Sequence, residues 1–186
     1  MSNRRSVNRA RMQGNLDGLC GVYSVVNAAI HLSPQRISQD NVKELFRALC
    51  SELGRLEKLE DALVDGMKVR TLGVLLDCAS NHLNDRYGYE IKRKIAFNSH
   101  PQSLQEFWVK IAEHVAIHEK GSVILSLSGK HKHWTVVDAI SDTSISLIDS
   151  DGLKRIARDR CTVQVEKGKR HHELWGTETY LLSVTN

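Results

Sequence analysis

Apolar residues recur along the chain in two textures, one in each half. The run LCGVYSVVNAAIHL reads as a buried helix opening near Cys20 and ending before Ser33-Pro34. Val42, Leu45, Phe46, Leu49 and Leu53 fall on one face of a second helix. That pattern continues or restarts through Leu56, Leu59 and Leu63, with a stop at Gly66. Leu72, Leu75, Leu76, Ala79 and Leu83 predict a third helix, from after Thr71 to before Gly88. YEIKRKIAF alternates as a strand does. Ser103-x-x-Glu106 is a capping-box pattern ahead of Leu104, Phe107, Trp108, Ile111 and Val115. Beyond Gly121 the texture changes to short β-branched runs, SVILSLS, HWTVVDAI, SISLID and TYLLSV. Helices first and strands second predict an α+β fold, with a C-terminal half that is largely antiparallel sheet or open barrel.

The 186 residues fit one domain, expected over 14–186 behind a flexible basic arm, residues 1–13. No apolar run approaches the ~18 residues of a membrane span, and no apolar segment follows the basic N-terminus as a secretory signal requires. A cytoplasmic protein is the expectation, with export by a non-classical route left open. Four widely spaced cysteines without a C-x-x-C pair form neither a zinc framework nor a disulfide scaffold, and they suit a reducing compartment. No metal or cofactor is expected. The net charge of +4 is uneven, with Arg4, Arg5, Arg9 and Arg11 in the arm and a second basic stretch over Lys154–Arg170. No aromatic-interleaved basic motif accompanies it, so nucleic acid is not the expected partner. An acidic partner chain suits the arm better.

Cys20 stands where a helix start favours an anion, and a thiolate is the nucleophilic form of cysteine. Gly18 and Gly21 flank it and suggest close approach of a substrate backbone. Cys50 and Cys78 lie among helical leucines, and Cys161 precedes a short alternating run, as structural thiols do. Of nine histidines, His31, His82, His114 and His118 fall on helices, and His100, His171 and His172 in loops. His131 and His133 form an H-x-H without supporting metal ligands. His133 opens a strand and is the candidate base. Asp149 ends the next strand, sixteen positions on. A hairpin turning near Ser141–Asp142 brings it beside His133, whereas Asp138 points to the opposite face. Asp151 reads as turn chemistry. Gln13 is the side-chain candidate for an oxyanion donor with the Cys20 N–H, and Asn15 or the Asp17–Gly18 backbone are alternatives.

Gln13, then Leu19-Cys20-Gly21 and Asn27-Ala28, then His133-Trp134 in a strand and Asp149 after the next, resemble the papain-like cysteine peptidases. Bacteriocin-leader peptidases, papain-fold effector toxins and Josephin-type deubiquitinases are the nearest flavours. The resemblance implies the papain-like fold, a Cys20–His133–Asp149 triad and a glutamine oxyanion hole at Gln13. The Gln13–Cys20 gap is one residue longer than the usual papain pattern. The Cys20–His133 interval is shorter than the ~130–150 residues of cathepsin-type enzymes. The expected function is hydrolysis of a peptide or isopeptide bond in a protein or peptide substrate. A papain-fold glutamine deamidase and a catalytically silent binding module are the alternatives. Oligomeric state has no signature.

Overall fold

The computed structural model describes residues 10–14, 17–117, 121–129, 132–164 and 172–185. The helices come first: α1 (Cys20–Leu32), α2 (Gln39–Arg55), α3 (Leu59–Val64) and α4 (Val69–Tyr87). Strand β1 (Glu90–Ile95) and helix α5 (Leu104–Ile117) follow. Then come β2 (Gly121–Gly129), β3 (His133–Ile140), β4 (Ser144–Ile148), β5 (Arg155–Ala157), β6 (Cys161–Thr162), β7 (His172–Leu174) and β8 (Tyr180–Thr185). Among the described residues these strands form one eight-stranded sheet, ordered β1-β8-β2-β3-β4-β5, with β7 also on β2 and β6 on β7. Every pairing is antiparallel except β6 with β7. The α+β architecture with N-terminal helices and a C-terminal antiparallel sheet is therefore as expected.

The sheet is covered on both faces. Ile124, Trp134, Val136, Tyr180 and Leu182 pack into one core with the buried faces of α1, α2 and α4. Val123, Leu125, Leu127, Val137 and Leu181 pack into another with Phe107, Trp108 and Ile111 of α5. Successive strand residues point to opposite faces, so the unbroken burial of β2 from Ser122 to Leu127 is what two covered faces require. Helix α1 is buried on nearly all sides, from Cys20 through Val22, Val25, Val26, Ala28 and Ala29 to Leu32. This explains why its valines do not prevent a helix: tertiary burial outweighs a small propensity cost.

Local signals act where they stand. Ser38 caps α2 by accepting from the Asn41 N–H at 3.2 Å. Gly88 closes α4 at φ 72°, a left-handed turn that costs glycine nothing. Helix α2 stops and α3 restarts, because Glu57 turns left-handed at φ 56°. The Lys58 N–H then returns to the Leu53 carbonyl and the Glu57 N–H to Gly54, a Schellman arrangement. On α3 the buried side chain is Ala62, and Leu63 and Val64 are exposed. Helix α4 begins at Val69, three residues before Leu72, the start expected after Thr71. The Ser103 hydroxyl accepts from the Glu106 N–H at 3.1 Å, while the Glu106 carboxylate reaches back to the Gln102 N–H at 2.7 Å. Strands β5, β6 and β7 went unread because two or three residues cannot display an alternation. His172, expected in a loop, opens β7. No helix among the described residues is long and apolar enough to cross a membrane.

Candidate active site

Cys20 is the first residue of α1, and Leu19 before it offers no side-chain oxygen to cap the helix. The early N–H groups of a helix need acceptors, and an anion at this position meets that need. The approach to the helix is fixed by Asp17. Its carboxylate accepts from the Gly14 N–H at 2.9 Å and the Leu19 N–H at 3.2 Å. The Gly18 N–H then donates to the Leu63 carbonyl at 2.7 Å.

One helical turn beyond Cys20, Ser24 is buried and donates its hydroxyl to the Trp134 carbonyl at 2.8 Å. This bond sets α1 in register against β3, so the first residue of each element meets the other. Trp134 in turn donates its indole N–H to the Met67 carbonyl at 2.9 Å, joining the sheet to the α3–α4 connection.

The hairpin geometry follows the expected face assignment. Strand β3 turns at Ser141, whose N–H donates to the Ser144 carbonyl at 2.8 Å. The Trp108 indole of α5 pins that turn through the Ser141 carbonyl at 2.7 Å. Val136 pairs with Ile148, so one step further Asp149 falls opposite Thr135 and diagonal to His133. His133 Nε2 lies 2.7 Å from Asp149 Oδ2. With Nε2 so engaged, the imidazole also interacts with Cys20. Asp138 is the extra residue of a bulge between Val137 and Ala139. It is half exposed and 4.0 Å from His31 Nδ1, away from His133.

Asp149 is 4% exposed, yet its carboxylate is satisfied from three sides. Oδ2 meets His133, and Oδ1 accepts the Asp151 N–H at 2.8 Å and the Leu153 N–H at 3.0 Å. Burial pushes this carboxyl up, but His133, the nearby Thr135 hydroxyl and the Leu153 N–H outweigh it and hold it below the usual carboxylate value. The Thr135 oxygen is buried without a partner in hydrogen-bond geometry, so it acts by proximity. Burial also pulls the His133 imidazole down. The Asp149 hydrogen bond, the Cys20 contact and the two opposite charges reverse that and raise it to about 10.

Cys20, His133 and Trp134 line a cleft of about 310 Å³ between the helices and the sheet. Asp65, Gly66 and Met67 wall it on the helical side, and Ser126, Leu127, Ser128, Lys132, Trp175 and Glu178 on the sheet side. Glu178 is held by the Ser126 hydroxyl at 2.8 Å. Sequence reasoning missed these walls, since loop residues such as Trp175 and Glu178 obey no periodicity. Ser24 had a readable signal: it stands four residues after Cys20, on the same helical face.

Gln13 lies beside the aspartate loop rather than on the cleft wall. Its N–H donates to the Ser150 carbonyl at 3.0 Å, and its Oε1 accepts from the Ser150 hydroxyl at 3.2 Å. Its Nε2 reaches the Asp17 carbonyl at 3.5 Å. The two glycines around Cys20 serve packing, not substrate approach. A Cβ on Gly18 would lie 2.8 Å from the Ala62 carbonyl, and one on Gly21 would lie 2.5 Å from the Met67 sulfur. Gly18→Ala is therefore expected to cost about 1–3 kcal/mol, because backbone must move. Gly21→Ala costs less, because the thioether swings away. Chemical denaturation of both variants checks this, and equal costs would contradict it.

Of the other described histidines, His114 bonds through Nε2 to the Leu182 carbonyl at 2.8 Å and His100 through Nε2 to the Val163 carbonyl. Asn15, His118, His131 and His171 lie outside the described residues, as do Arg4, Arg5 and Arg9. Among the described residues no three His, Cys, Asp or Glu side chains are grouped as metal ligands. Comparison with protein-family models, curated proteins and solved structures gives no match, so the geometry of Cys20, His133 and Asp149 stands as the basis for function.

Proposed function

We propose that the chain is a papain-like cysteine hydrolase that cleaves a peptide or isopeptide bond. The supporting observation is the buried His133–Asp149 pair at 2.7 Å, with the same imidazole lining one cleft with Cys20 at an uncapped helix start. In this reading the Cys20 thiolate attacks the amide carbonyl, and negative charge develops on its oxygen. The Cys20 N–H at the head of α1 is the donor assigned to that oxygen. His133 gives its proton to the leaving amine, which departs and leaves a thioester. Neutral His133 then takes a proton from water, the hydroxide adds to the thioester, and collapse of the adduct releases the acid and restores the Cys20 thiolate beside protonated His133. Asp149 orients the ring and stabilises its cation.

The cleft supports a polypeptide substrate. It is open, with walls from both halves, and is lined by Trp134 and Trp175 together with Gly66 and Ser126–Ser128. An extended chain makes use of such walls. The same acyl chemistry on a glutamine side chain would release ammonia and leave the substrate chain whole.

Limited alkylation of the native protein, mapped by mass spectrometry, tests the nucleophile. Cys20 is expected to label first. Burial raises the Cys50 and Cys78 thiols, and burial with the nearby Asp159 carboxylate pushes Cys161 up to about 12. Labelling of any of those three ahead of Cys20 would remove the basis for the proposal. Intact-mass and ammonia assays on candidate partner proteins, with Cys20→Ala as control, then separate cleavage from deamidation.

A further inference from the structure

A second groove, of about 350 Å³, lies apart from the catalytic cleft where the segment before α1 meets α1 and α2. Its lining includes Arg11, Lys43 and Arg47 and no carboxylate. Tyr23 and Phe46 give it an aromatic wall, their rings tilted with centroids 5.3 Å apart. Met12 stands 55% exposed at its edge.

The cations are poorly used by the fold. Arg11 is held by its backbone, with its N–H on Asn27 Oδ1 at 2.7 Å and its carbonyl on Asn27 Nδ2 at 3.3 Å. Its guanidinium Nε is buried with no acceptor. Arg47 is exposed and makes no ion pair among the described residues. Lys43 has only Asp40, exposed and 3.6 Å away on the same helix. Three positive side chains around an apolar, aromatic floor call for a ligand that is anionic and apolar together.

We infer that this groove docks an acidic segment of a partner polypeptide, one in which carboxylates flank an apolar side chain. The carboxylates meet Arg11, Lys43 and Arg47, and the apolar residue rests on Tyr23 and Phe46. The groove is open at the surface, as a chain segment requires. This site does not depend on the proposed chemistry at Cys20.

The test uses fluorescence anisotropy with the full chain and a labelled peptide in which four glutamates flank a central Leu-Phe pair. A matched peptide with glutamine at those four positions is the control. The glutamate peptide is expected to bind at least about tenfold more tightly, with affinity falling as salt rises. The double variant Lys43→Glu with Arg47→Glu, both on the exposed face of α2, is expected to lose about tenfold or more, while Cys20→Ala binds as the wild type does. Phe46→Ala lowers affinity for the glutamate peptide and leaves the charge preference intact. Equal binding of the two peptides, no binding at millimolar peptide, or indifference to the double charge reversal would overturn the inference. A single-stranded oligonucleotide that binds more tightly than the glutamate peptide and is lost in the same double variant would also overturn it, by assigning the groove to nucleic acid.

Discussion

Cys20→Ala is expected to abolish Cys20-dependent turnover, a loss of about a millionfold where nucleophile and base act as one unit. His133→Gln is expected to cost nearly as much, and the double variant scarcely more than either. Gln is preferred to Ala at 133 because its amide can still donate toward Asp149. Removing every donor would leave a buried carboxylate short of its partner and confuse loss of fold with loss of chemistry. The thermal midpoint of each variant is measured beside its rate. Cys20 contributes little packing volume, so Cys20→Ala should unfold close to wild type. Losses that multiply in the double variant would show that the two side chains do not share a step.

Asp149→Asn is expected to lower turnover by on the order of a thousandfold, short of abolition, because Asp149 orients and stabilises the imidazolium without exchanging a proton itself. The Asn oxygen can still accept from Asp151 and Leu153, so the loop keeps its shape, whereas Asp149→Ala strands both N–H groups and destabilises the fold as well. The variant also has a pH signature. The His133 imidazole is raised from 6.5 to about 10, so its contribution to stability is complete below pH 6.5 and is lost as pH rises toward 10. The Asp149 carboxyl is lowered from 3.8, so its contribution is complete above 3.8 and is lost as pH falls through its lower folded value. Wild-type unfolding free energy, measured in urea at a series of pH values, should therefore decline from 6.5 toward 10, and Asp149→Asn should flatten that decline. The alkaline limb of turnover, which marks loss of the proton needed by the leaving amine, should move to lower pH in the same variant. Asp138→Asn serves as the comparison. Asp138 faces solvent at a bulge by His31, so its loss should leave rate and pH profile unchanged. A damaging Asp138→Asn with a silent Asp149→Asn would reverse the assignment.

Both expectations trace back to strand arithmetic. The period-two alternation put His133, Thr135 and Val137 on one face and Ile145, Leu147 and Asp149 on one face of the next strand. The turn at Ser141 pairs Ile140 with Ile145, and the bulge at Asp138 then shifts the register by one residue, which puts Asp149 opposite Thr135 and within diagonal reach of His133. The glycine reading failed for a different reason. Backbone freedom at Gly18 and Gly21 was visible in the sequence, but what presses on them, the Ala62 carbonyl and the Met67 side chain, belongs to segments some forty residues away.

What the chain determined by itself was everything carried by local periodicity and local chemistry: the α1, α2, α4 and α5 faces, the long strands of the C-terminal half, the β3–β4 hairpin, and the placing of a cysteine where a helix begins. These need only neighbours three, four or two residues apart. Tertiary structure alone decided which long-range partners meet. The Ser24 hydroxyl finding the Trp134 carbonyl, the indole of Trp134 reaching Met67, and Trp175 and Glu178 closing one wall of the cleft are pairings between distant segments that carry no period. The charged state of His133 belongs here too. Burial alone would leave this imidazole neutral, and only the assembled contacts with Asp149 and Cys20 hold its proton near pH 10.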